Sequence, residues 1–266
     1  MPSLKNKVIW ITGASSGIGE ALAYVLAKHG ARLILSARRK EELERVKGNC
    51  PEETQLRIKI LPMDLSKSEM LAINVEMALH YFGKVDVLVN NGGISQRSLA
   101  KDTILEVDRQ LMEVNYFAPV QLTKLLLPSM IEMDSGHIVN ITSLVGKFGT
   151  PYRSGYAASK HAVHGFFDSL RAELHNYNVK ITNICPGFIR TNVSINALTE
   201  NATALGEMDQ AQEDGMSPEV CARKIAKAIE RQKQEVYIGG RETYAILVKR
   251  FFPSLFNRII RKAVVR

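Results

Sequence analysis

The chain has few cysteines, no long apolar run and no acid near its C-terminus, and each lack excludes something. Its three cysteines, Cys50, Cys185 and Cys221, are odd in number, widely spaced and form no C-x-x-C pair. A disulfide framework or cysteine zinc site is therefore not expected, and no other metal site is read from the sequence. The pattern fits a reducing compartment such as the cytoplasm. No uninterrupted apolar stretch approaches the ~20 residues of a spanning helix, and residues 1–8 are too short and polar to be expected to act as a secretory leader. No linker or repeat divides the 266 residues. With 45% hydrophobic and 23% charged residues they suit a large, well-buried globular domain. After Glu242 there are six cations and no acid; removing those six from the net +8 leaves +2 for everything before. The basicity belongs to a tail, so a nucleic-acid partner is not expected.

What is present is an alternation of strands and helices. Residues 8–12 (VIWIT) read as a buried strand, followed at once by Gly13-Ala-Ser15-Ser16-Gly17-Ile18-Gly19 and a helix ending at Gly30. Glycines let a backbone approach phosphates, and a helix N-terminus favours anions, so this turn suits a dinucleotide pyrophosphate. Its spacing is G-x-x-x-G-x-G, not G-x-G-x-x-G; the plain alternative is a tight turn. Residues 32–37 form the second strand. Where an NAD site carries an acid, this chain has Ala37, then Arg38 and Arg39. Paired guanidiniums suit a 2′-phosphate and favour NADP(H), unless they are solvated loop cations.

A charged helix follows over 40–47, then a strand over 57–64 and a helix over 66–82. Asp64 and Leu65 end that strand; Asp64 suits an adenine amino group or a helix N-cap. Residues 86–93 run from a strand into Asn90-Asn91-Gly92-Gly93, which can tie strands and line a cofactor cleft or be an Asn-Gly turn. Helical patterns fill 103–133, with Asn115 four residues before Pro119. Because proline has no N–H, the Asn115 carbonyl loses its helical donor and is free to hold a water. A fifth strand, 137–143, ends at Ser143, placed to donate to a carbonyl or to cap a turn. In the helix that runs to about residue 177, Tyr156 and Lys160 are spaced i, i+4 and share a face. The lysine is expected to lower the phenol from its usual pKa near ~10; alone, the pair is an ordinary solvated face. A sixth strand, 178–185, ends at Pro186-Gly187, and a seventh spans 235–239. This order implies one doubly wound α/β domain of Rossmann type with a mostly parallel seven-stranded sheet.

Together, TGASSGIG at 12–19, NNGG at 90–93, Asn115, Ser143, Y-x-x-x-K at 156–160 and PG at 186–187 resemble the short-chain dehydrogenases/reductases in their standard short form, over roughly residues 5–240. Gly92 departs from the family's usual alanine, and looser packing is expected there. The stretches 115–119, 125–130, 152–161 and 166–173 resemble a branch called dehydrogenase/reductase members 7 and 7B, associated with membranes and with lipid-like, steroid or retinoid carbonyls. The resemblance implies an oxidoreductase interconverting a carbonyl and an alcohol. Ser143 and Tyr156 would donate to the substrate oxygen. Lys160 would hold the ribose, and the Asn115 carbonyl would hold a relay water. Ile189 and Thr191 would contact the nicotinamide carboxamide.

Residues 192–216 are polar and weakly periodic and are long enough for a lid over the cleft. With Leu144, Phe148, Tyr152 and Gly187 they are expected to line an apolar substrate pocket. The extension 241–266 is amphipathic from Phe252, with apolar residues at 252, 255, 256, 259, 260 and 263. It suits peripheral contact with an anionic bilayer through 250–266, docking on the protein's own body, or contact with another subunit of a homodimer or homotetramer. A 3-ketoacyl-thioester reductase and a noncatalytic NADP(H)-binding sensor or scaffold are the alternative functions.

Overall fold

The five residues of strand β1 (Val8–Thr12) are all buried, and an apolar strand of that kind requires cover on both faces. A computed structural model describing residues 3–263 shows how that cover is arranged. Seven parallel strands lie in the order β3-β2-β1-β4-β5-β6-β7. They are β1, β2 (Arg32–Ser36), β3 (Ile58–Ile60), β4 (Val87–Asn90), β5 (Gly136–Ile141), β6 (Val179–Pro186) and β7 (Glu235–Ile238). The order reverses between β1 and β4, and such a switch point opens a crevice at the strands' C-terminal ends.

Helices α1 (Gly17–Lys28) and α2 (Lys40–Gly48) cover one face, with a single turn α3 (Glu52–Gln55) beside them. The other face carries α4 (Leu71–Phe82), α6 (Ala118–Glu132) and the long α7 (Ser154–Glu173), with α5 (Leu105–Met112) packed against α7. After a second single turn, α8 (Gln210–Glu213), helix α9 (Pro218–Glu230) packs through Cys221, Ala222, Ile225 and Ile229 into the first core. The sequence reading did not single out α9. The tail forms α10 (Ala245–Phe251) and α11 (Pro253–Ile260), broken at Phe252-Pro253; its last three positions lie outside the described residues.

Two expected elements differ. The third strand is regular only over Ile58–Ile60 instead of 57–64, although the amides of Leu61 and Met63 still bond Leu35 O and Ala37 O on the β2 side at 2.9 and 3.0 Å; Pro62, between them, has no N–H to offer on the outer edge. The 103–133 helix is interrupted by a π-helical turn, Glu113–Phe117, centred on Asn115 and closed by Pro119. Extra-residue turns of this kind recur at functional sites.

Strand β1 is pinned by Asp86. This buried carboxylate accepts from Val8 N–H at 2.8 Å and from Lys84 Nζ at 2.9 Å, with Lys7 Nζ at 3.5 Å. Burial raises its pKa, but the Val8 amide, Lys84 and Lys7 outweigh that and hold it below the usual carboxylate value. Both lysines are half-exposed, so Asp86→Asn is expected to cost only about 1 kcal/mol in urea unfolding at pH 7. A lowered folded pKa gives stability above the ordinary carboxyl range that is lost as pH falls through the folded value. The gap between the two proteins should therefore close in acid.

Candidate active site

The turn after β1 is shaped for close approach. Gly13 and Gly17 have φ of +64° and +58°, and a Cβ on Gly13 would stand 2.7 Å from Gly92 Cα. The ends of β1 and β4 thus touch at the switch point. Asn91 fastens them, donating from Nδ2 to Thr12 O at 2.9 Å and to Gly13 O at 3.0 Å. Ser16 stands at the N-cap of α1 without a side-chain cap, leaving the first-turn amides of Gly17, Ile18 and Gly19 facing an anion site. Arg45 braces the loop, bonding Ser15 O at 3.2 Å and Glu20 at 2.7 Å. The Thr191 methyl lies against Gly17, and Ile189 is buried nearby in the same core as α1. These residues fit a dinucleotide pyrophosphate.

Arg38 and Arg39 are exposed beyond β2 and form no ion pair among the described residues. Asp64 Oδ1 accepts from Ser66 N and Oγ at 3.0 and 2.8 Å, which is the local capping role, although α4 itself begins only at Leu71 after a 3-10 turn. Gly92 leaves no gap, since Leu65 Cδ1 occupies the space a methyl would take. The expected loosening there is absent.

Ser143, Tyr156, Lys160 and Asn115 converge beside this cradle. A Cβ on Gly93 would lie 2.9 Å from Asn115 Oδ1 and 3.5 Å from Lys160 Nζ. Lys160 donates to Ile141 O at 3.0 Å, and its ammonium stands 5.8 Å from the Tyr156 ring centroid. Burial pulls its pKa down to about 8. The phenol is raised, against the sequence-based expectation. Burial dominates; Arg153, a hydrogen bond with Ser143, and Arg97 act in the lowering direction, and Lys160 is not among the causes. A buried phenol that holds its proton is a proton donor awaiting a substrate oxygen.

The Asn115 amide is fully engaged. Its Oδ1 accepts from Ile94 N at 2.9 Å, while Nδ2 donates to Ile94 O at 2.9 Å and to Ser159 Oγ at 3.0 Å. A cavity of about 10 Å³ lies between Asn90, Gly92, Asn115, Pro119, Asn140 and Lys160, close to what one water occupies. Asn90 Oδ1 is a buried acceptor with no protein partner. Its Nδ2 starts a ladder through Asn140 to Asn183 (2.9 and 3.0 Å) across β4, β5 and β6.

Sequence reading missed four residues. Gln96 is fully buried, and its Oε1 accepts from the amides of Gly155 and Tyr156 at 2.8 and 3.3 Å. It thereby caps α7, where Arg153 at the N-cap has no acceptor to offer. Arg97 and Arg153 share Asp209 of the segment 192–216. Only proximity across more than fifty residues reveals these partners. Within the segment 192–216, Leu198 pairs with Gln96 and with Ala204.

The expected pocket wall is partly covered. Leu144 and Phe148 are buried in one cluster with Ala157, Cys185 and Phe256 of α11, the Phe148 and Phe256 rings meeting edge-on at 5.3 Å. Gly187 lies under Glu242, which accepts from Phe188 N at 3.4 Å and ties the start of the tail to this loop. Tyr152, at φ +63°, accepts from Ser98 N through its carbonyl at 3.1 Å.

The family profile described as short chain dehydrogenase matches residues 7–202. The chain belongs to the short-chain dehydrogenase/reductase family. As a member it is an oxidoreductase of a family that binds nicotinamide cofactors. A Drosophila melanogaster protein described as dehydrogenase/reductase SDR family protein 7-like is 43% identical, the match covering 99% of this chain and 82% of the relative. The mouse dehydrogenase/reductase SDR family member 7B is 41% identical over 97% of this chain and 81% of its own. Among solved structures, a short-chain dehydrogenase from Streptomyces avermitilis superposes with a TM-score of 0.81 at 29% identity, over 96% of each chain. An alcohol dehydrogenase from the archaeon Thermococcus sibiricus, complexed with 5-hydroxy-NADP, gives 0.75 at 26% identity, over 89% of this chain and 97% of that one. No described helix of this short-chain dehydrogenase/reductase is long and apolar enough to cross a membrane.

Proposed function

We propose that the protein is an NADP(H)-dependent oxidoreductase that interconverts an apolar, lipid- or steroid-like carbonyl compound and its alcohol. The observation that carries this is the convergence of Ser143, Tyr156, Lys160 and Asn115 beside the glycine cradle. Bound cofactor supplies or takes the hydride. Ser143 and Tyr156 donate to the substrate oxygen and polarise it. In reduction Tyr156 gives up its proton; in oxidation it takes one. Lys160 holds the ribose hydroxyls, and the one-water cavity between it and Asn115 supports proton resupply. Apolar substrate is supported by Leu144, Phe148 and the lid residue Leu198 around the phenol. The test is NADPH consumption across a panel of apolar ketones and aldehydes, with acetoacetyl thioesters included; turnover confined to thioesters would favour the ketoacyl reductase, and none at all the noncatalytic sensor.

The NADP(H) preference is supported by Arg38 and Arg39, exposed and without an ion pair among the described residues, in a sequence that has Ala37 and no acid at the end of β2. A charge-assisted phosphate contact is worth ~1.5–3 kcal/mol. Arg38→Asp should therefore weaken NADPH binding about 10–100-fold in fluorescence titration and leave NADH little changed. Equal losses would refute the assignment.

The tail supports peripheral binding to an anionic bilayer on the cytoplasmic face. One side of α10 and α11 already docks on the protein through Ile246, Val248, Phe256 and Ile260. The other still exposes Leu247, Phe251, Phe252, Leu255 and Ile259, the two phenylalanines at 68% and 63%, among cations that suit acidic headgroups. Replacing Phe251, Phe252, Leu255 and Ile259 with serine, keeping Phe256, should abolish sedimentation with phosphatidylserine vesicles. A homodimer or homotetramer should persist in that variant; loss of oligomerisation with unchanged sedimentation would assign the face to another subunit.

A further inference from the structure

Arg153 stands three residues before Tyr156, at the N-cap of α7, with its side chain 9% exposed. Its Nη2 lies 3.3 Å from Asp209 Oδ2 in the lid. The same oxygen accepts from Arg97 Nε at 2.8 Å and from Arg97 Nη2; Arg97 and Asp209 are 1% and 3% exposed. Two guanidiniums therefore share one carboxylate away from solvent. Arg97 is otherwise satisfied, its Nη1 bonding Ser95 Oγ and Gln96 O at 2.8 and 2.7 Å. Arg153 is not, because its Nε is buried without an acceptor, and Phe188 stacks against the guanidinium at 5.9 Å.

A cluster built only to fasten the lid would balance its charges, since a surplus buried charge costs several kcal/mol. The surplus here stands at the start of the Tyr156 helix: Arg153 is its N-cap residue, and Gln96, next to Arg97, accepts from the amides of Gly155 and Tyr156. After burial, Arg153 is the largest influence on the Tyr156 phenol, and Arg97 acts in the same direction. The other groups packed about Tyr156 do not replace this charge. Ser143 offers a neutral hydroxyl, Lys160 lies over the ring, Asp108 on α5 abuts Gly155 with a raised pKa, and Leu198 of the lid is apolar.

We propose that Arg153 is a positioning residue of the Tyr156 reaction: with Arg97 it forms a cationic seat for the phenolate, and Asp209 of the lid sets how much of that charge the phenolate feels. The proposal rests on Tyr156 as the acid/base group. Removing Arg153 makes the phenolate harder to form; removing the Asp209 charge makes it easier. A purely structural clamp has no reason to give opposite signs.

The experiment is a tyrosinate absorbance titration of the cofactor-free protein, with the corresponding Tyr156→Phe background subtracted for each variant. Relative to wild type, Arg153→Gln should move the Tyr156 transition up by about one pH unit and Asp209→Asn should move it down, while Arg153→Lys stays near wild type. The titration uses no substrate, so its failure is separate from that of the acid/base reading, which an active Tyr156→Phe enzyme would reject. Transitions that coincide for Asp209→Asn and wild type, or shifts of the same sign for Asp209→Asn and Arg153→Gln, overturn the proposal. If Arg153→Gln does not fold, the Asp209→Asn comparison decides alone.

Discussion

Tyr156→Phe is expected to lower kcat about 10³-fold, within the range that a positioned proton donor contributes, with cofactor affinity close to wild type. The ring packs among Ile94, Val107, Leu111 and Leu198, and phenylalanine retains that packing, so the folded protein should persist. What is lost is the one hydroxyl that can both polarise the substrate oxygen and deliver a proton. Ser143 remains, but only as a hydrogen-bond donor. KM should change little, because the lost interaction is made fully only as charge develops on oxygen. Thermal midpoint and NADPH fluorescence serve as controls for folding and cofactor binding. Turnover within about tenfold of wild type would falsify the proton-donor role, since that is below what general acid catalysis supplies.

The parts of the site that lie in one local element were legible in the sequence. Gly13 to Gly19 must turn tightly between β1 and α1 whatever surrounds them, and the four-residue spacing of Tyr156 and Lys160 dictates a shared helix face. Asn115 before Pro119 announced a carbonyl without its helical donor, but not the π turn that interrupts the helix there. The partners of those elements were not legible. Nothing near residue 155 in the chain says that Gln96 caps its helix, and no period in 192–216 says that Asp209 meets Arg97 and Arg153. The raised phenol shows the same limit, because burial depends on everything packed around Tyr156, whereas a lysine four residues away can be read from the string. The tail is intermediate: its amphipathic period was plain, but the break at Phe252-Pro253 gives it two outward faces, and only one is covered.

Lys160 offers the second large effect, and it has two parts of opposite sense. Its ammonium is buried with one carbonyl acceptor and no carboxylate partner among the described residues, and burial brings its pKa from 10.5 to about 8. At about 1.4 kcal/mol per pH unit, carrying that charge costs the cofactor-free fold about 3 kcal/mol at neutral pH. Lys160→Met should therefore raise the thermal midpoint of the cofactor-free protein by several degrees while lowering turnover about 100-fold or more. The sign with pH follows from linkage. Between the folded and unfolded values the unfolded chain binds the extra proton, so wild-type stability from this group rises with pH from about 8 to 10.5. The advantage of the methionine variant should fade across that window, and an advantage independent of pH would trace it to packing instead. On the proposed reading, in which the ammonium holds the ribose, saturating NADP(H) should reverse the ranking at pH 7, because a ligand stabilises in proportion to its affinity for the folded state. A residue that weakens the empty protein and strengthens the loaded one is what selection for turnover rather than for stability leaves in place.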